Sequence, residues 1–174
     1  MRRIILLLFL GVLFLTFQTT VVASLPIQRV RPDIILILTL YLSLTSSPFL
    51  SGILAFFMGY LVDLFSGNSL GLYAFTRPLI FYAAKLYHDR FYLEGFPAQS
   101  FFVFIFSLAE GLLILILLRA FVPVPIGNLI PSLVTSVLPQ SVVSGVLAPF
   151  LFFLFDKGSF PLLGPRGTRV EERE

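Results

Sequence analysis

The chain has no cysteine and only one histidine, His88. The first absence excludes disulfides and thiolate metal sites; the second excludes a histidine metal cluster. Charge is scarce too. Asp, Glu, Lys and Arg make up 12% of the 174 residues, about half of the roughly 25% usual in soluble domains. No glycine-rich loop ends in Gly-Lys-Ser or Gly-Lys-Thr, and no His-Glu-x-x-His occurs, so the matching nucleotide and zinc chemistries are missing. A Ser-His-Asp triad would have to use His88 beside Asp89. There Lys85, His88 and Arg90 serve more simply as charge flanking a membrane span. The sequence predicts no catalytic residue, no cofactor and no metal: the chain is not an enzyme.

What is present is apolar. Hydrophobic residues make up 57% of the chain, and the mean hydropathy is +0.99. One water-facing globule of this length cannot bury so much apolar surface, whereas lipid removes the need to. Runs broken by charge, proline and glycine predict an all-α, polytopic membrane helix bundle of about six transmembrane helices. They lie near 4–24, 33–46, 48–65, 70–87, 99–121 and 133–155. The second and third are short against the roughly 20 residues that cross a bilayer. They either tilt, cross a thinned bilayer, or form a re-entrant hairpin over 33–65. The bundle occupies 1–157; the tail 158–174 is charged and rich in glycine and proline, a composition that does not fold alone. Met1-Arg2-Arg3 before an apolar run has the look of a signal peptide, with Val21-Val22-Ala23 as a cleavage site. A retained first helix is expected, since the later spans hold the chain in the membrane either way.

The breaks have local causes. Arg31-Pro32-Asp33 stops a loop and starts a helix, with Asp33 as N-cap. Thr45-Ser46-Ser47-Pro48 is a turn that places proline at a first helical position. Ser66-Gly67-Asn68-Ser69 ends the third helix and caps the fourth. The segment 85–99 is the longest hydrophilic loop, with Tyr82, Tyr87 and Tyr92 suited to the headgroup belt, and 122–131 is a proline-rich loop.

The net charge of +3 does not point to nucleic acid, because the basic residues sit at the ends of apolar runs. With the N-terminus inside, the inner side carries Arg2, Arg3, Lys85, Arg90, Lys157, Arg166, Arg169 and Arg173. The outer side carries Arg29, Arg31 and Arg119, and Arg77 lies within a span. Eight against three places both termini in the cytoplasm. Arg29 and Arg31 depart from the rule and suit a partner or lipid phosphates.

Three ionisable residues fall inside spans, where a central charge costs about 2.5–3.5 kcal/mol on insertion scales. Asp63, near the outer end of the third span, either pairs with Arg77 or another helix, or reaches water or the backbone amides of Gly67 and Asn68. Arg77, two turns into the fourth span, either snorkels outward or pairs with Asp63 or Glu110. Glu110, in the middle of the fifth span, is either an ion-pair or partner contact, or a protonated acid with a hydrogen-bond partner. Ser51, Ala55 and Gly59 recur every four residues and Asp63 continues the series. Small residues so spaced make a smooth helix face for close packing, against the same chain or a partner.

The run Gly59-Tyr60-Leu61-Val62-Asp63-Leu64-Phe65-Ser66-Gly67-Asn68-Ser69-Leu70-Gly71-Leu72-Tyr73-Ala74 resembles the rod shape-determining protein MreD family. The shared features are a glycine, an aspartate four residues on, a small-residue turn (Ser66, Gly67) and Leu-Gly (Gly71) before the next helix. Pro32-Asp33, the length and the short basic ends fit as well, so that the resemblance extends over roughly 1–157. It implies a non-enzymatic scaffold of the bacterial cell-elongation machinery. Such a scaffold associates with a bitopic MreC-like protein and through it links MreB-type filaments with peptidoglycan synthases. It also implies a six-helix layout similar to the substrate-binding components of energy-coupling-factor transporters. The alternative is therefore a small-molecule, vitamin-like binding component. A binding component needs convergent polar groups in a pocket, and only Asp63, Asn68, Arg77, Glu110 and Gln140 are available, which favours the scaffold.

The orientation is checked with single cysteines, which meet no native thiol. Ser47→Cys, Arg90→Cys and Arg166→Cys are expected to resist an impermeant thiol reagent in intact cells, while Gln28→Cys reacts. Labelling of Arg90→Cys in sealed cells overturns the orientation.

Overall fold

The computed structural model describes residues 32–45, 48–66, 71–88, 95–121, 131 and 133–157, with Leu13 and Thr16 besides. Every element among them is helical: α1 (Ile34–Thr45), α2 (Pro48–Ser66), α3 (Leu72–His88), α4 (Phe96–Phe121) and α5 (Leu138–Lys157), the last preceded by a π-helical turn, Leu133–Val137. Of the expected first span, 4–24, only Leu13 and Thr16 are described, and of the loop 122–131 only Pro131; the tail 158–174 lies outside the described residues.

Three stretches are long and apolar enough to cross a bilayer: Pro48–Phe65, Phe96–Ala120 and Leu133–Phe155. Helix α3 has 17 residues and α1 only 12. At 1.5 Å per residue α1 is about 18 Å long, well short of the roughly 30 Å of hydrocarbon. One expected boundary moves. The segment 85–99 is not all loop, because α3 runs on to His88 and α4 begins at Phe96. Pro97 suits that first turn, where its missing N–H is no loss, and the Gln99 amide donates to the Gly95 carbonyl at 3.3 Å to close it.

Helices α2 and α3 pack along one another, as do α4 and α5, and α1 touches all four. The sequence of α1 explains its place. Its residues are apolar all round, the mark of a helix enclosed on every side, and Ile35 to Ser43 are all buried. Its hydroxyls need no outside partner: Thr39 Oγ1 donates to the Ile35 carbonyl at 2.8 Å, Ser43 Oγ to Leu40 at 2.6 Å and Thr45 Oγ1 to Tyr41 at 3.0 Å. Around α1 gather Leu54 and Met58, Phe81, Val103, Ala148 and Phe152. Tyr41 packs its ring against Phe152 and Phe155, with centroids 5.4 and 5.2 Å apart. The outer helices turn Phe49, Phe56, Phe57, Phe65, Phe75, Leu86, Phe101, Ile116, Val146 and Phe150 outward. An apolar exterior of this extent suits lipid.

Helices α2 and α3 meet at Gly59. A Cβ there would lie 2.2 Å from the Tyr73 carbonyl oxygen and 2.9 Å from the Ala74 Cα. The contact is backbone on backbone, so no side chain can yield to make room. Ser51, Ala55 and Asp63 are buried with it. Gly59→Leu is therefore expected to lower abundance and thermal stability in detergent more than Leu61→Ala, although Leu61 is the larger side chain. The cost is about 3 kcal/mol, at the upper end of overpacking changes. Melting curves in mild detergent check this; a Gly59→Leu protein as stable as Leu61→Ala contradicts it.

Candidate functional site

The buried polar centre begins with the N-cap of α1. The Leu36 amide donates to Asp33 Oδ1 at 2.9 Å, the bond that caps a helix start. The other oxygen, Oδ2, accepts from Arg77 Nη2 on α3. On the far side of the guanidinium, Arg77 Nε lies 3.0 Å from Glu110 Oε1 on α4. That contact is within ion-pair range but is not aligned as a hydrogen bond. The Asp33 amide donates to Ser144 Oγ on α5 at 3.3 Å. Four helices thus converge on one aspartate and one arginine.

Arg77 is wholly enclosed, with 0% of its surface exposed, and Glu110 retains 3%. The Tyr73 ring, one turn earlier on α3, lies 5.7 Å from the guanidinium carbon, a cation–π contact. Desolvating a guanidinium is costly unless opposite charges and hydrogen bonds replace the water. Here two carboxylates and an aromatic face replace most of it. Arg77 Nη1 and the Thr76 hydroxyl have no partner among the described residues.

The sequence placed Arg77 with Asp63 or Glu110. Glu110 is one partner; Asp63 is not, and Asp33 takes its place. Asp63 instead caps α3 from the end of α2. Its Oδ2 accepts from the Gly71 amide at 3.1 Å and the Ala74 amide at 2.8 Å, and its Oδ1 accepts from the Tyr73 amide at 3.0 Å. These amides belong to the helix start that has no intrahelical acceptor, and the helix dipole adds to their pull. With three donors satisfied, the carboxylate has no call on Arg77. Gly71 has φ 98, a backbone conformation open to glycine at little cost. Ser66 is the last residue of α2, and Gly67 and Asn68 lie outside the described residues.

Sequence reasoning gave Asp33 only its capping role. The overlooked signal was the second carboxylate oxygen. An N-cap uses one oxygen, so a capping aspartate at the mouth of an all-apolar helix has another left to match. The arrangement holds helices together, and the one cation among these groups is engaged by two carboxylates.

Removing one member of a buried pair costs about 3–5 kcal/mol because the other is stranded. Arg77→Met strands two carboxylates, Asp33→Asn strands part of one guanidinium while keeping a good cap, and Glu110→Gln leaves the Asp33 bond intact. Thermal stability in detergent is expected to fall least for Glu110→Gln, further for Asp33→Asn and most for Arg77→Met. Equal melting of Arg77→Met and wild type would show that the cluster does not hold the bundle.

Comparison with curated proteins and with solved structures gives no match. The family described as rod shape-determining protein MreD matches residues 1–157. That range takes in the turn after α2, the capping aspartates and the whole buried cluster, and the chain belongs to the MreD family of shape-determining membrane proteins.

Proposed function

We propose that the chain is a non-enzymatic scaffold of the cell-elongation machinery in the bacterial inner membrane. It associates with a bitopic MreC-like protein and through it connects MreB-type filaments with peptidoglycan synthases. Both termini lie in the cytoplasm. The observation that carries this reading is the family match over 1–157. The chemistry of the bundle agrees with it. Asp33, Arg77 and Glu110 are engaged with one another and Asp63 with the α3 backbone, so these groups serve cohesion. The small-residue face of α2 is closed by α3 at Gly59. Partner helices then meet the protein on its outward apolar faces, where Phe56, Phe57, Phe75 and Phe150 stand exposed.

Depletion in a rod-shaped cell is expected to produce rounded cells while the catalytic activities of isolated membranes persist. Purification in mild detergent is expected to bring down an MreC-like protein and wall synthases. Normal shape on depletion, with failed vitamin uptake and co-purifying ATPases, would select the transporter component instead. Because the α2 face is internal, Gly59→Leu should reduce the amount of protein and of partner together, not the partner alone.

A further inference from the structure

The chain from Gly111 to Arg119 on α4 carries a feature that the buried cluster does not use. At Gly111 the two last helices touch closely: a Cβ there would lie 2.3 Å from Val137 Cγ1, at the end of the π-helical turn. Beyond that contact, toward the end of α4, they leave a cleft of about 210 Å³ between them. Its lining is Leu112, Leu115, Ile116 and Arg119 of α4 and Leu133 of the π-helical turn. The four α4 residues are spaced i, i+3, i+4, i+7, which is one helix face. Three leucine or isoleucine side chains thus lead along the face to a single arginine in the last turn.

Arg119 differs from Arg77 in every respect that matters for a ligand. It is exposed, and no carboxylate pairs with it among the described residues. The helix C-terminus stabilises a cation there but supplies no anion affinity of its own, so any attraction for an anion comes from the guanidinium. A guanidinium presents a planar fork of donors that suits a phosphate. The cleft is smaller than the roughly 300–1,000 Å³ that encloses a drug-sized ligand, and among the described residues Arg119 is the one polar side chain that lines it. It fits a stretch of hydrocarbon whose remainder stays in the bilayer, with charge only at the end where α4 reaches the headgroups.

We propose that the cleft between α4 and the π-helical turn is a binding site for an anionic phospholipid, the acyl chain lying on Leu112, Leu115, Ile116 and Leu133 and the phosphate on Arg119. The site rests on the membrane placement of the bundle and not on the scaffold role or on which side of the membrane α4 ends. A lipid held there fills the gap between α4 and the start of α5 and wedges the two helices at a fixed separation.

The test uses the full chain, purified in mild detergent and offered phosphatidylglycerol or phosphatidylcholine of identical acyl chains, with bound lipid counted by native mass spectrometry. One phosphatidylglycerol is expected to be retained in preference to phosphatidylcholine. Arg119→Gln should weaken that retention about fivefold, the value of one basic residue at an anionic surface, and Arg119→Lys should restore part of it. Leu115→Phe, which fills the cleft, should reduce both lipids. Arg169→Gln in the tail removes the same charge elsewhere and should change nothing. Equal retention of the two lipids by the wild type, or equal losses in Arg119→Gln and Arg169→Gln, would overturn the site. Because the readout needs no partner protein, a failed scaffold reading leaves it standing and its failure leaves the scaffold reading standing.

Discussion

A guanidinium enclosed in a lipid-facing bundle has to be matched, and the arrangement of the helices follows from how Arg77 is matched. One carboxylate comes from the cap of α1 and the other from the middle of α4, so neither partner lies on Arg77's own helix. A buried ion pair is weak evidence for stability in itself, since desolvation consumes much of the Coulomb gain. Its stronger effect is on uniqueness. Apolar helices in lipid have little to distinguish one rotation or register from another, as packing alone drives association. A misplaced α1 or α4 leaves a full charge unpaired, which penalises the wrong arrangements far more than it rewards the right one.

The α2–α3 joint solves a separate problem by two devices at one level of the bundle. Gly59 lets the α3 backbone into the space a Cβ would occupy, while Asp63, one turn on, takes up the amides that begin α3. The two depend on each other. Only at that close approach do the carboxylate oxygens reach three amides, and only the carboxylate makes a helix start tolerable in apolar surroundings. The glycine and the aspartate four residues on, which mark the family resemblance in the sequence, are the two halves of this joint.

Much of this was legible in the sequence, and what was not has a physical reason. The helical class, Pro48 as the opening of α2 and Asp33 as a cap follow from local rules about periodicity, ring constraint and side-chain reach. The membership of Glu110 in an Arg77 pair follows from the cost of charge in lipid. The exchange of Asp33 for Asp63 was not legible. Both are carboxylates at helix ends, and local rules assign each a backbone to bind. Which one has an oxygen to spare depends on how many amides come within reach, and for Asp63 that number is set by the approach at Gly59. The segment 85–99 has the polar and aromatic composition of a loop, yet helices continue past the edge of hydrocarbon without difficulty where water can receive their side chains.

The shortness and enclosure of α1 also bear on the order in which the protein can be made. A 12-residue helix cannot settle across a bilayer by itself and then associate, as longer spans do. Its acidic cap meets Arg77 only 44 residues later in the chain, and its first amide meets Ser144 only after 111. Nascent α1 therefore emerges well before the groups that will receive it. It must be sheltered, at the insertion machinery or the membrane surface, until α3, α4 and finally α5 have arrived. The bundle closes around its earliest described helix at the end of synthesis, so a truncation that removes α5 takes from α1 the rings that pack on Tyr41 and the hydroxyl that receives the Asp33 amide.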